Sequence, residues 1–191
     1  MSLRASDVAA WIDMLDKAEV NYIVVGGLGG LAHGSDRPTI DIDIVPEWRD
    51  QNLENVCDFL RSINAQSRTG PVVFGDEITP DLLREREVLN WTTSLGDIDT
   101  LMGIPNAKGE AVDFEMLSER ASTFSITSGD HQGNFVVAHL EDIIISKRYA
   151  NRAKDRAALP KLEQLLQEQL EAEVLEQQAP AKTQEPPELS L

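Results

Sequence analysis

Cysteine is nearly absent from this chain of 191 residues: Cys57 stands alone, so no intramolecular disulfide can form, which suits a reducing compartment. Histidine is scarce too, and His33, His131 and His139 fall at no spacing that suits zinc. Basic residues are outnumbered, 17 Lys and Arg against 33 Asp and Glu, for a formal charge of −16. That excludes a uniformly basic nucleic-acid binder, though not a local basic patch. No apolar run reaches membrane-spanning length. The first residues carry Asp7, Asp13 and Asp16 and lack the apolar core of a signal peptide, so the expected location is the cytoplasm, with no membrane contact. Aromatic residues make up only 5%. Trp11, Trp48 and Trp91 read as packing residues, and Tyr149, beside Lys147 and Arg148, is the better candidate to stack a base.

What is present suits one globular α/β (α+β) domain. Ser6 can cap a helix to about Glu19 with Val8, Ile12 and Leu15 inward. Tyr22 to Val25 reads as a buried strand ending in Gly26-Gly27, followed by a small-residue helix to His33. Thr39 to Val45 alternates, with Ile40, Ile42 and Ile44 on one face and Thr39, Asp41, Asp43 and Val45 on the other. Arg49 to Ile63 is an amphipathic helix. Asp81 to Arg86 is a short helix, Val88 to Met102 is one strand or two broken at Gly96, and Lys108 to Arg120 is read as a short helix. Strands near Ser122–Thr127 and Asn134–Val137 precede a helix from Leu140 to Ala150 and another from about Lys154. Residues 1–138 form the expected core and 139–176 C-terminal helices that complete the site. Residues 177–191, rich in Gln, Pro and Glu, are expected to be disordered. No sustained heptad pattern appears, so a monomer is expected.

The informative stretch is Val24 to Val45. Period two puts Asp41 and Asp43 on the same strand face, where two carboxylates repel and are costly to bury unpaired. A bound Mg²⁺, or Mn²⁺, removes that problem, since hard oxygen ligands suit it and substrate phosphates supply the rest. Gly26 and Gly27 let backbone approach a phosphate closely. Further on, Asp97 and Asp99 alternate onto one face, and pattern alone does not choose between them; Asp113 is a weaker rival. Lys147, Arg148, Arg152, Lys154 and Arg156 then cluster in an otherwise acidic chain, able to neutralise triphosphate oxygens or a nucleic-acid backbone. In a continuous helix Lys147 and Asp155 would stand about 12 Å apart along the axis, at ~1.5 Å per residue. A break near Asn151 changes that distance.

The order Gly-Gly, short helix, Asp-x-Asp resembles the DNA polymerase β-like nucleotidyltransferase superfamily. The resemblance implies a nucleotidyltransferase fold, a mixed sheet flanked by helices, acting as a Mg²⁺-dependent enzyme. It places the metal and the nucleoside triphosphate on Asp41 and Asp43, with Gly26 and Gly27 at the phosphates and Arg37 and Thr39 in support. The family's apolar–Asp–x–Leu pattern matches Ile98-Asp99-Thr100-Leu101, which favours Asp99 as the third catalytic and metal-binding carboxylate. The later block Leu140-Glu141-Asp142-Ile143-Ile144, then Lys147, Arg152 and Lys154-Asp155, is similar to that of the AbiEii/MenT-type toxins within this superfamily. It implies phosphate binding by Lys147 and a required role for Asp155, with Arg148 and Arg152 as further nucleotide-binding cations. The matched blocks span Val24 to Leu162. They imply a toxin that moves a nucleotidyl group from an NTP, CTP or UTP by preference, to the 3′ end of tRNA, blocking aminoacylation and translation, with a cognate antitoxin as partner. The alternatives are a transferase acting on a protein or small molecule, and a non-catalytic antitoxin or regulator of the same fold.

Overall fold

A computed structural model describes residues 3–128 and 131–178. A seven-stranded mixed sheet runs through the molecule. In chain order its strands are β1 (Tyr22–Val24), β2 (Asp41–Pro46), β3 (Gln66–Ser67), β4 (Val88–Thr93) and β5 (Gly96–Leu101), then, after a separate hairpin of β6 (Ile104–Pro105) and β7 (Ala111–Val112), β8 (Ser122–Ser128) and β9 (His131–Val137). Their spatial order is β3-β4-β5-β2-β1-β9-β8. Strands β2 and β5 pair in parallel, as do β1 and β9, and the other neighbours are antiparallel.

Among the described residues, seven α-helices accompany this sheet: α1 (Ala5–Lys17), α2 (Gly26–Ala32), α3 (Asp50–Ser62), α4 (Pro80–Arg84), α5 (Phe114–Ser118), α6 (Leu140–Ala150) and α7 (Ala153–Gln178). Helix α1 buries Val8, Trp11, Ile12 and Leu15 over β8 and β9. Its first turn is closed by Asp7, which accepts from the Arg4 N–H at 2.9 Å, rather than by Ser6. Helix α3 buries Leu53, Val56, Phe59 and Leu60 in one stripe. Cys57 sits in that core, and burial pushes its thiol up to about 12, so it is unreactive at neutral pH.

Several expectations are corrected. Ile40 does not share the buried face of Ile42 and Ile44; it is 56% exposed, because the β2–β5 ladder begins at the Asp41–Asp97 pair and holds nothing before it. The segment Lys108 to Arg120 is not one helix. Asn106 Oδ1 accepts from the Lys108 and Glu110 N–H groups, Gly109 turns at φ +86°, and the chain closes the β6–β7 hairpin. Only then does α5 start, capped by Asp113 accepting from the Met116 N–H at 3.1 Å. Asp113 is therefore a helix cap. Helix α7 begins at Ala153 and continues through Pro160, although that residue has no N–H to give the helix. The expected disorder of the tail lies, from residue 179 onward, outside the described residues.

Candidate active site

The acidic strand face is built by register. Asp41 stands opposite Asp97 and Asp43 opposite Asp99, so four carboxylates alternate on adjoining strands while Ile42, Ile44 and Ile98 fill the core behind them. Thr39 donates to Asp41 Oδ1 at 2.8 Å, and the Gly27 N–H points to Asp43 Oδ2 at 3.4 Å. Burial, with the like charges of Asp41 and Asp99 added, pushes the Asp43 carboxyl up to about 6. Asp99 also lies above its ordinary value because it is buried, and the opposing Arg68 charge does not cancel this.

The glycine turn enforces this arrangement. Gly26 sits at φ +62°, and a Cβ there would overlap the Asp43 carboxylate. Gly26→Ala is expected to cost about 2 kcal/mol or more, from the left-handed backbone and the overlap together. Urea unfolding measures it. Three residues on, a Cβ at Gly29 would lie 2.8 Å from Ile143 Cδ1, so the missing side chain lets α6 approach α2 closely. That approach brings Lys147 to the sheet.

Helix α6 stops at Asn151, whose φ of 48° is left-handed, and the chain turns directly into α7. The turn overrides helical spacing. Lys147 Nζ and Asp155 Oδ1 lie 3.8 Å apart, and Arg152 Nε donates to Asp155 Oδ2 at 2.6 Å. Asp155 is 1% exposed. Burial alone would raise its carboxyl, but the Arg152 and Lys147 cations outweigh that and hold it below the usual range. Burial pulls the Lys147 ammonium below its ordinary value, against the opposing pull of Asp155 and then Asp43.

These elements enclose one cleft of about 620 Å³. Gly26, Gly27, Arg37, Thr39, Asp41, Asp43 and Asp99 line one part, and Lys147, Arg152, Lys154 and Asp155 another. Val88, Leu101, Ile104 and Pro105 are among its apolar lining residues, with Leu101 two residues beyond Asp99 on β5 and Val88 opposite Leu101. Arg148, expected at the site, and Asp97, the rival to Asp99, lie elsewhere. Arg148 turns outward to Glu163 at 2.8 Å, and Asp97 is absent from the lining, holding Arg68 and Thr92 instead. Tyr149 packs over Gly109 rather than in the cleft, and Trp11 and Trp91 are core residues. His33 Nε2–H donates to the Ala138 carbonyl at 2.9 Å, and the ring meets Phe124 edge-on. Sequence reasoning missed Arg68, Asn90 and the apolar lining of the cleft, since nothing in their linear context marks them.

Among the described residues, no three His, Cys, Asp or Glu side chains are grouped so as to hold a metal by themselves. The donor set nonetheless suits a hard divalent cation: carboxylates on adjoining strands, with Asp43 driven up by burial and by the like charges of Asp41 and Asp99. No described helix is long and apolar enough to cross a membrane.

No known protein family matches the sequence, and no curated protein matches it. Among solved structures, the lincomycin-bound lincosamide antibiotic adenylyltransferase LnuA is similar. It aligns with TM-score 0.58 and 15% identity over 86% of this chain and 99% of that one. The mixed sheet, the flanking helices and this likeness together show that the chain has the nucleotidyltransferase fold.

Proposed function

We propose that the protein is a nucleotidyltransferase that takes an NTP and transfers its nucleotidyl group to the 3′ end of tRNA, in the manner of an AbiEii/MenT-type toxin. One observation carries the reading. Asp41, Asp43 and Asp99 share a single cleft with Lys147 and Asp155, which the break at Asn151 brings together. Asp41 and Asp43 would hold Mg²⁺, or Mn²⁺, which when bound polarises the triphosphate and offsets its charge. The Gly26-Gly27 turn lets the phosphates come close to the backbone. Lys147, Arg152 and the exposed Arg37 and Lys154 neutralise phosphate oxygens. Asp99, two residues before Leu101 of the apolar lining, orients the acceptor hydroxyl, and Asp155 holds Lys147 and Arg152 in place. By resemblance the donor is CTP or UTP, and an antitoxin is the regulating partner.

A second reading is favoured by the apolar lining that includes Val88, Leu101, Ile104 and Pro105. It fits a ring-bearing small molecule with a free hydroxyl, and LnuA binds such a compound, lincomycin. Incubating the protein with Mg²⁺ and each labelled triphosphate, over total tRNA and over lincomycin in parallel, separates the two. Label on tRNA from a pyrimidine triphosphate is the expected result. Label on lincomycin alone selects the second reading, and no label on either acceptor, with nucleotide still bound, removes both.

A further inference from the structure

Arg68 lies just after β3, outside every stretch that resembles a known motif. Among the described residues it is the only cation paired with the carboxylates of β5. Its Nη2 donates to Asp99 Oδ1 at 2.5 Å and its Nη1 to Asp97 Oδ2 at 2.9 Å. The backbone fixes this approach, since the Arg68 N–H donates to the Asn90 carbonyl at 2.7 Å and Asn90 stands opposite Asp99 on β4. The Arg68 side chain is 29% exposed and that of Asp99 13%, so solvent screens the pair only in part.

The four-carboxylate face is thus divided. Its β5 half is ion-paired with Arg68, whereas among the described residues no cation forms a salt bridge with Asp41 or Asp43, although Lys147, Arg152 and Lys154 line the same cleft. An Asp99 oxygen engaged in a charge-assisted hydrogen bond is withdrawn from metal ligation, and a guanidinium a few ångströms away repels a dication. One or two carboxylates suffice for Mg²⁺ when phosphates complete its shell.

We propose that Arg68 stands in place of a second metal ion, so that the chain binds one divalent cation, on Asp41 and Asp43, while Asp99 serves as a carboxylate that Arg68 positions toward the acceptor. This rests on the proposed nucleotidyl transfer. Arg68 is a positioning residue, absent from the lining of the cleft.

Mn²⁺ binding to the intact protein, followed by electron paramagnetic resonance with Mn²⁺ alone, tests it. Sites are counted as those lost in the Asp41→Asn/Asp43→Asn double variant, which sets the background of an acidic surface. One ion is expected in the wild type and two in Arg68→Gln, falling back to one in Arg68→Gln/Asp99→Asn. Asp97→Asn, which leaves Arg68 on Asp99, is expected to stay at one. Two ions in the wild type overturn the inference whether or not Arg68→Gln folds, and so does one ion in a folded Arg68→Gln. No specific ion in the wild type overturns the carboxylate site itself, a distinct failure that takes the proposed function with it.

Discussion

Asp43→Asn is expected to abolish nucleotidyl transfer and, at the same time, to make the metal-free protein more stable at neutral pH. The loss of activity should reach ~10³-fold, the scale on which removing one preorganised electrostatic group at a reacting centre acts. Asp41→Asn should match it. The stability gain follows from the Asp43 carboxyl, held at about 6 against an ordinary 3.8. A carboxyl raised in the folded state binds its proton more tightly there. Its contribution is fully present below pH 3.8 and is lost as the pH rises through about 6. Above that, the folded protein carries an ionised, poorly solvated carboxylate, at a cost of about 3 kcal/mol. Asparagine has no such charge. Thermal or urea unfolding at pH 7.5 should show the variant more stable by that order, with the difference closing as the pH falls from 6 to 4. Mg²⁺ should stabilise the wild type and not the variant. A variant less stable than wild type at pH 7.5 would mean that Asp43 serves the fold rather than a ligand.

Asp155→Ala should act with the opposite sign. Its carboxylate, 1% exposed, holds Arg152 at 2.6 Å and Lys147 at 3.8 Å. Removing it leaves the half-buried Lys147 without its anion. Arg152, 61% exposed on its side chain, is solvated and loses less. The expected cost is about 3 kcal/mol, near the lower end for breaking a buried pair. Because the folded state holds this carboxyl below 3.8, its contribution is present above that pH and disappears as the pH falls below it. Wild type and variant should therefore converge in acid, where Asp43 and its asparagine variant converge as well but from the other side. Transfer should drop ~10²-fold through misplacement of Lys147, chiefly in kcat. Urea unfolding across pH, beside steady-state kinetics, reads both effects. Unchanged stability at pH 7.5 would remove the ion-pair account of Asp155.

How much of the site the linear sequence shows depends on how local each feature is. Asp41 and Asp43 are two residues apart on a strand, and the glycine turn precedes them directly, so alternation and chain order carry that half of the cleft. The same local logic misplaced Ile40, because where a strand begins depends on which partner it pairs with, here β5. It also read a helix across 108–120, where a turn closed by Asn106 and Gly109 competes successfully.

The sequence by itself determined the amphipathic helices α1 and α3, the paired aspartates and the basic cluster near residue 150, because each is a matter of composition or short-range period. Only the tertiary structure shows that Asp99 lines the cleft and Asp97 does not, although Arg68 meets both carboxylates. It also sent Arg148 out to Glu163, and it brought Asp155 to Lys147 through a single left-handed residue, Asn151. Such choices rest on strand pairing and on one backbone angle, and neither leaves a periodic trace in the order of the residues.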